Sequence, residues 1–211
     1  MNIIELHEVS LEIRKRPLLT DVNLTVPTGE AVALVGANGS GKSLLLRLMC
    51  LLAKPTSGRV IVAKSHLASG REMPLGFGVV IDGPAAMEHR SGIDNLRYLA
   101  RIRGLISDED ISRWMHEFGL DPLSRQPVRQ YSQGMKQRLA LAQAMMEGQD
   151  VLLLDEPFNA LDRDGVSQVK TLLQQRVSDG STLVFTSHLQ GDVSELADRA
   201  YLVEGGTVSR I

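Results

Sequence analysis

The run AVALVGANGSGKSLLLRLM, residues 31–49, restricts the fold more than any other part of the chain. An uninterrupted apolar stretch reads as a buried strand. The glycine-rich GANGSGKS, Gly36–Ser43, then breaks regular structure, and apolar residues resume at helical spacing. Strand, tight loop and helix in that order belong to an α/β sheet whose strand ends open onto the loop. The glycines let successive backbone N–H groups turn inward, as phosphate oxygens require. Lys42 then reaches the β/γ oxygens of a nucleotide, and the Ser43 hydroxyl coordinates Mg²⁺. The competing reading is a glycine-rich turn with no ligand; the strand before it and the helix after it favour the phosphate loop.

Further apolar runs follow, FGVVI, VLLLD and TLVFTSH, separated by helical patterns. Continuous apolar strands between helices imply a mostly parallel sheet covered on both faces. Around residues 1–30 and 58–76, apolar and polar residues alternate instead, punctuated by Pro27, Gly29 and Gly58, which implies a small antiparallel β-subdomain beside the core. Residues 85–147 read as a helical lobe inserted in that core. Ser91 with Asp94, and Ser107 with Asp110, look like helix starts, while Gly104 and Gly119 look like helix ends. Ile111, Trp114, Met115 and Phe118 share a helix face and are expected in the core. The chain, residues 1–211, is therefore expected to be one α/β domain.

Charge and composition exclude several function classes. With a net charge of −2 the chain lacks the basic balance of a general nucleic-acid binder, and no nucleic-acid partner is expected. The lone Cys50 cannot form an internal disulfide and sits in an apolar run, which suits the core and a reducing compartment. The apolar run LLLRLMCLLA is too short to cross a bilayer and is interrupted by Arg47. The amino terminus alternates like a strand and carries acids where a signal peptide is basic, so a cytoplasmic location is expected.

VLLLDEP ends a buried strand in two carboxylates, Asp155 and Glu156. Acids at the carboxyl end of a parallel strand stand at the crevice where such sheets bind ligands. Asp155 can hold Mg²⁺ directly or through water; Glu156 can orient or deprotonate an attacking water. The alternative is a strand's exit into solvent. His188 ends another apolar run and, beside a phosphate loop and an acid pair, is a candidate γ-phosphate contact rather than a structural histidine. His7, His66, His89 and His116 lack that strand-end setting and show no metal-ligand spacing.

YSQGMKQR, beginning at Tyr131, looks like a second phosphate-binding helix start, since first-turn N–H groups have no internal partner. Taken together, these motifs resemble the nucleotide-binding subunit of the ATP-binding cassette (ABC) family over essentially the whole chain. The resemblance implies a phosphate-loop NTPase core, ATP and Mg²⁺ as cofactors, and ATP contacts from Gly36, Ala37, Asn38, Gly39, Ser40, Gly41, Lys42, Ser43 and Leu44. Asp155 and Glu156 match the family's acid pair, His188 its switch histidine, and NALD, Asn159–Asp162, the loop that follows, with Asp162 at the interface. YSQGM is similar to the signature LSGGQ. Ser132 and Gly134 are kept, while Gln133 and Met135 depart from it.

In that family two copies dimerise head to tail, and each signature, here Ser132, Gln133 and Gly134, contacts the nucleotide held by the other copy. Membrane subunits and a second nucleotide-binding subunit are the implied partners, with the chain peripheral on the inner face of the membrane. Two further departures matter. Asp82 stands where a Gln commonly ends the FGVVI strand, as a candidate Mg²⁺ ligand or simply a turn with Gly83. No aromatic residue lies near Ile13 to stack on adenine, so nucleotide selectivity is expected to be weak. The signature variant and the acidic Asp82 look like the subgroup serving peptide-antibiotic export or immunity. The competing classes are a non-transport ABC-type ATPase and a regulatory nucleotide-binding module.

Overall fold

The computed structural model describes residues 1–67 and 74–211; part of the expected β-subdomain span, residues 68–73, lies outside the described residues. The chain opens with two long strands, β1 (Asn2–Ile13) and β2 (Arg16–Pro27), paired antiparallel. Their turn is made by Arg14 and Lys15, both with positive φ. The ladder is irregular between Leu6 and Val9, where Glu8 also takes a positive φ. A third strand, β4 (Ser57–Val62), pairs antiparallel with the other edge of β1. The expected antiparallel sheet is therefore present, in the order β2-β1-β4.

The second sheet contains β3 (Ala31–Val35), β5 (Phe77–Val80), β6 (Val151–Leu154), β7 (Thr182–Ser187), β8 (Arg199–Glu204) and β9 (Thr207–Arg210), ordered β5-β6-β7-β3-β8-β9. All pairs are parallel except β8 with β9, a hairpin turning at Gly205 and Gly206, both in left-handed conformation. The strand expected at FGVVI stops at Val80, because Asp82 adopts φ 61° and turns the chain away.

Period-two geometry explains why the central strands read as unbroken apolar runs. On β3, Ala31 and Ala33 face one core while Val32 and Leu34 face another. On β6, Leu152 and Leu154 oppose Val151 and Leu153 in the same way. The first core is closed by helices α2 (Gly92–Arg103), α3 (Asp108–Glu117), α4 (Gln133–Met145) and α5 (Arg163–Ser178). The second is closed by β1, β2 and α1 (Lys42–Met49), with Cys50 buried at the end of α1. A short helix, α6 (Gln190–Leu196), links β7 to β8.

The helical lobe follows its sequence signals closely. Ser107 and Asp110 form a capping box with bonds in both directions, whereas Ser91 caps α2 through Asp94 without closing the box. Gly104 ends α2 and Gly119 follows α3, both with φ 64°. Ile111, Met115 and Phe118 are buried, with Trp114 packed against them and stacked on Phe118. Among the described residues, no helix is long and apolar enough to cross a membrane.

Candidate functional site

Register brings the motif-bearing strand ends to one rim. Val35 of β3 lies opposite Ser187 of β7, and Leu154 of β6 lies opposite Phe185. The loop after β3, the acids after β6 and the histidine after β7 therefore converge. At Gly36 the main chain passes so close to β8 that a Cβ would stand 2.3 Å from the Val203 carbonyl oxygen, so no side chain fits there. Ala37, Asn38 and Gly39 lie at the loop's open side. The α1 start has no side-chain cap and no acid in its first turn, leaving its N–H groups available to an anion. Leu44 packs its side chain on the second core.

Lys42 is 5% exposed and folds back on the loop, its Nζ donating to the carbonyls of Gly36 at 2.8 Å and Ala37 at 3.1 Å. The same Nζ lies 3.9 Å from Glu156 Oε1. On the other side of that carboxylate, His188 Nδ1 is 3.1 Å from Glu156 Oε2. Glu156 thus stands between Lys42 and His188. Its Oε1 and the Ser40 Oγ are each buried with no hydrogen-bond partner, which costs free energy unless a bound group supplies one.

Thr186, which carries no motif of its own in the sequence, organises both acids. Lying on β7, it donates to Asp155 Oδ1 at 2.7 Å, and its hydroxyl accepts the Glu156 N–H at 2.8 Å. Asp82 sits across from them: its N–H reaches Asp155 Oδ2 at 3.4 Å, while its carboxylate is paired with Arg47 of α1. Ser43, Asp155 and Asp82 each carry an oxygen of the hard kind that suits Mg²⁺, and the Asp82 carboxylate is directed at Arg47. Arg47, Asp82, Ala85, Ala140 and Gln143 border a cavity of about 360 Å³.

A second group of residues gathers at the start of α4. Ser132 is the N-cap, its Oγ accepting the Met135 N–H at 3.1 Å. Gln133 is exposed, while Met135 packs on the first core, which gives its departure from a polar residue a structural role. Gly134 lies against the loop after the acid pair: a Cβ there would meet the Ala160 carbonyl oxygen at 2.7 Å. Arg138 ties α4 to Asp162 at 2.8 Å. Asp162 also caps α5 through the Gly165 N–H, and these two contacts, that N–H first, hold its carboxyl below the usual range. Among the described residues, no hydrogen bond or ion pair joins Ser132, Gln133 or Gly134 to the loop Gly36–Ser43.

Residues 19–159 match the profile of the ABC transporter family. The chain belongs to this family. It is 35% identical over 97% of its length, and 94% of the other's, to the uncharacterised ABC transporter ATP-binding protein YybJ of Bacillus subtilis (strain 168). The lantibiotic transport ATP-binding protein SrtF of Streptococcus pyogenes is 34% identical, with 87% of this chain and 79% of that one covered. The bacitracin transport ATP-binding protein BcrA of Enterococcus faecalis is 30% identical, with 99% and 70% covered. A solved ATP-binding subunit of an ABC transporter superposes with a TM-score of 0.88 at 25% identity, covering 99% of this chain and 89% of that one. As an ABC ATP-binding subunit, the chain is an α/β ATPase of the class that powers transport.

Proposed function

We propose that two ABC subunits of this kind close head to tail on ATP, and that each site is built from one copy's phosphate loop and the other's signature helix. The observation that carries this reading is the position of Glu156, with one oxygen beside Lys42 and the other on His188. Lys42 would leave the carbonyls of Gly36 and Ala37 for the β/γ oxygens, helped by backbone N–H groups of residues 36–44. Ser132, Gln133 and Gly134 of the other copy would complete the γ-phosphate's surroundings, since among the described residues no hydrogen bond or ion pair joins them to Gly36–Ser43 of their own chain.

Hydrolysis then needs a water in line with the γ-phosphorus. Glu156 accepts its proton as oxygen attacks phosphorus; the bond to the bridging oxygen breaks and ADP leaves with the electron pair. His188, within hydrogen-bond distance of Glu156, orients that carboxylate and contacts the γ-phosphate. Ser43, Asp155 and, once released from Arg47, Asp82 would hold Mg²⁺, which supplies charge neutralisation on the phosphates. Asp162, fixed to α4 through Arg138, would relay between the paired sites. The exposed Ile13 at the hairpin tip offers an aliphatic surface rather than a ring, which favours weak selection among nucleoside triphosphates.

ATP holds the closed dimer and ADP does not, so each turnover would alternate two arrangements of the attached polytopic membrane subunits. On this reading the chain sits on the cytoplasmic face of a membrane through its partners. The similarity to SrtF and BcrA, together with Asp82, supports a peptide antibiotic as cargo. Glu156→Gln is the direct test: binding of ATP should persist while hydrolysis falls by at least about a hundredfold. Turnover at the wild-type rate in that variant would remove Glu156 from the base role.

A further inference from the structure

Gln137 is a buried amide with no part in the chemistry above. It is 5% exposed, on α4 just over a turn beyond Ser132, and its Nε2 donates to the carbonyls of Glu156 at 3.4 Å and Pro157 at 3.1 Å. Those carbonyls belong to a main chain held in an unfavourable shape. Glu156 has φ 46°, a region that non-glycine residues seldom occupy, and it precedes a proline, which further narrows its choices. Pro157 has no N–H with which to anchor the segment. The Glu156 N–H donates to Thr186, and the Glu156 carbonyl accepts from Gln137 and, within its own turn, from the Asn159 N–H at 3.2 Å. The two restraints from outside that turn come from different elements, β7 and α4.

We propose that Gln137 is the positioning residue that keeps Glu156 in its catalytic conformation and makes that conformation depend on where α4 sits. Three contacts fasten α4 to the segment after β6: Gln137 to the carbonyls of Glu156 and Pro157, Gly134 against Ala160, and Arg138 to Asp162. Gly134 and Arg138 hold the far end of that segment; Gln137 alone among these three holds its catalytic end. A shift of α4, when Ser132 and Gly134 meet the other copy's nucleotide, is thereby delivered to this copy's own Glu156. The inference rests on the reading of Glu156 as base and adds the route by which one shared site informs the other.

The test compares Gln137→Met, which keeps length and volume but donates nothing, with Gln137→Glu and with Glu156→Gln. Displacing a catalytic group by about an ångström costs up to about a hundredfold. Gln137→Met should therefore lower kcat by about ten- to a hundredfold while KM for ATP, and the affinity for a fluorescent ATP analogue, stay within about twofold. Gln137→Glu should recover activity relative to wild type as pH falls from about 8.5 to about 6.5, because only the protonated carboxyl can donate to the carbonyls. The same ratio for Gln137→Met should stay flat. A kcat within twofold of wild type in Gln137→Met, or parallel pH profiles for the two variants, overturns the proposal. If Gln137→Met fails to fold, as judged by nucleotide binding, the pH profile of Gln137→Glu decides alone. Wild-type turnover in Glu156→Gln would sink the reading of the base itself; an inactive Glu156→Gln beside a normal Gln137→Met would sink only the role of Gln137.

Discussion

Replacing Thr186 by Val changes one hydroxyl to a methyl group at a position with no exposed surface, so shape is kept and two hydrogen bonds disappear. The bond to Asp155 is charge-assisted and is worth about 1.5–3 kcal/mol; the Glu156 N–H left without an acceptor costs about 1–3 kcal/mol. Water can reach part of Asp155, which is only half-buried, and the losses share one group, so they do not add fully. The expected destabilisation is about 3 kcal/mol. In urea, with a slope of about 2–3 kcal/mol/M, the midpoint should fall by about 1 M. Thr186→Ser, which keeps the hydroxyl, should lose about 1 kcal/mol through its missing methyl alone. Hydrolysis should fall more in the Val variant than in the Ser variant, since only the former frees Glu156. A Val variant within about 0.5 kcal/mol of wild type would refute the view that Thr186 organises both acids.

At Gly78 on β5 an added Cβ would sit 1.8 Å from the Ala144 carbonyl oxygen of α4, so Gly78→Ala should cost at least about 3 kcal/mol through forced separation of strand and helix; chemical denaturation within about 1 kcal/mol of wild type would contradict that packing. Asp162→Asn keeps the α5 cap but removes the charge facing Arg138. Because the folded carboxyl is held below its unfolded value, its stabilisation is present at neutral pH and is lost as pH falls through the folded value. The gap in urea midpoint between wild type and Asp162→Asn should therefore close below about pH 4, and a gap independent of pH would count against the ion pair. For Asp82→Asn, half-maximal nucleotide binding should need several times more Mg²⁺; an unaltered Mg²⁺ dependence would leave Asp82 as a partner of Arg47 only.

The parts of the site legible in sequence are those whose signal is local. Gly36–Ser43 announces itself because strand, loop and helix are contiguous, and Asp155, Glu156 and His188 do so because each directly follows an apolar strand. Ser107 and Asp110 show their cap within a single turn. Thr186, Gln137 and Arg138 carry no such signal. Thr186 reads as one more β-branched strand residue, and Gln137 and Arg138 as polar positions on an amphipathic helix. Their partners lie on other elements, and the contacts exist only once β7 lies beside β6 and α4 packs over the sheet. Asp82 shows the same limit, since its partner Arg47 interrupts an apolar helical run and looks like an exposed residue of α1.

Sharing of the site between two copies is most directly tested by the size of the purified subunit in solution. In a Glu156→Gln background, which holds ATP without consuming it, light scattering should report an ATP-dependent dimer that ADP does not support. Adding Ser132→Arg should leave that subunit monomeric with ATP while its affinity for the nucleotide as a monomer stays within about twofold, because the bulky cation obstructs only the face offered to the other copy. An undiminished ATP-dependent dimer in the double variant would contradict the shared site, and with it any contact between the start of α4 and the other copy's nucleotide.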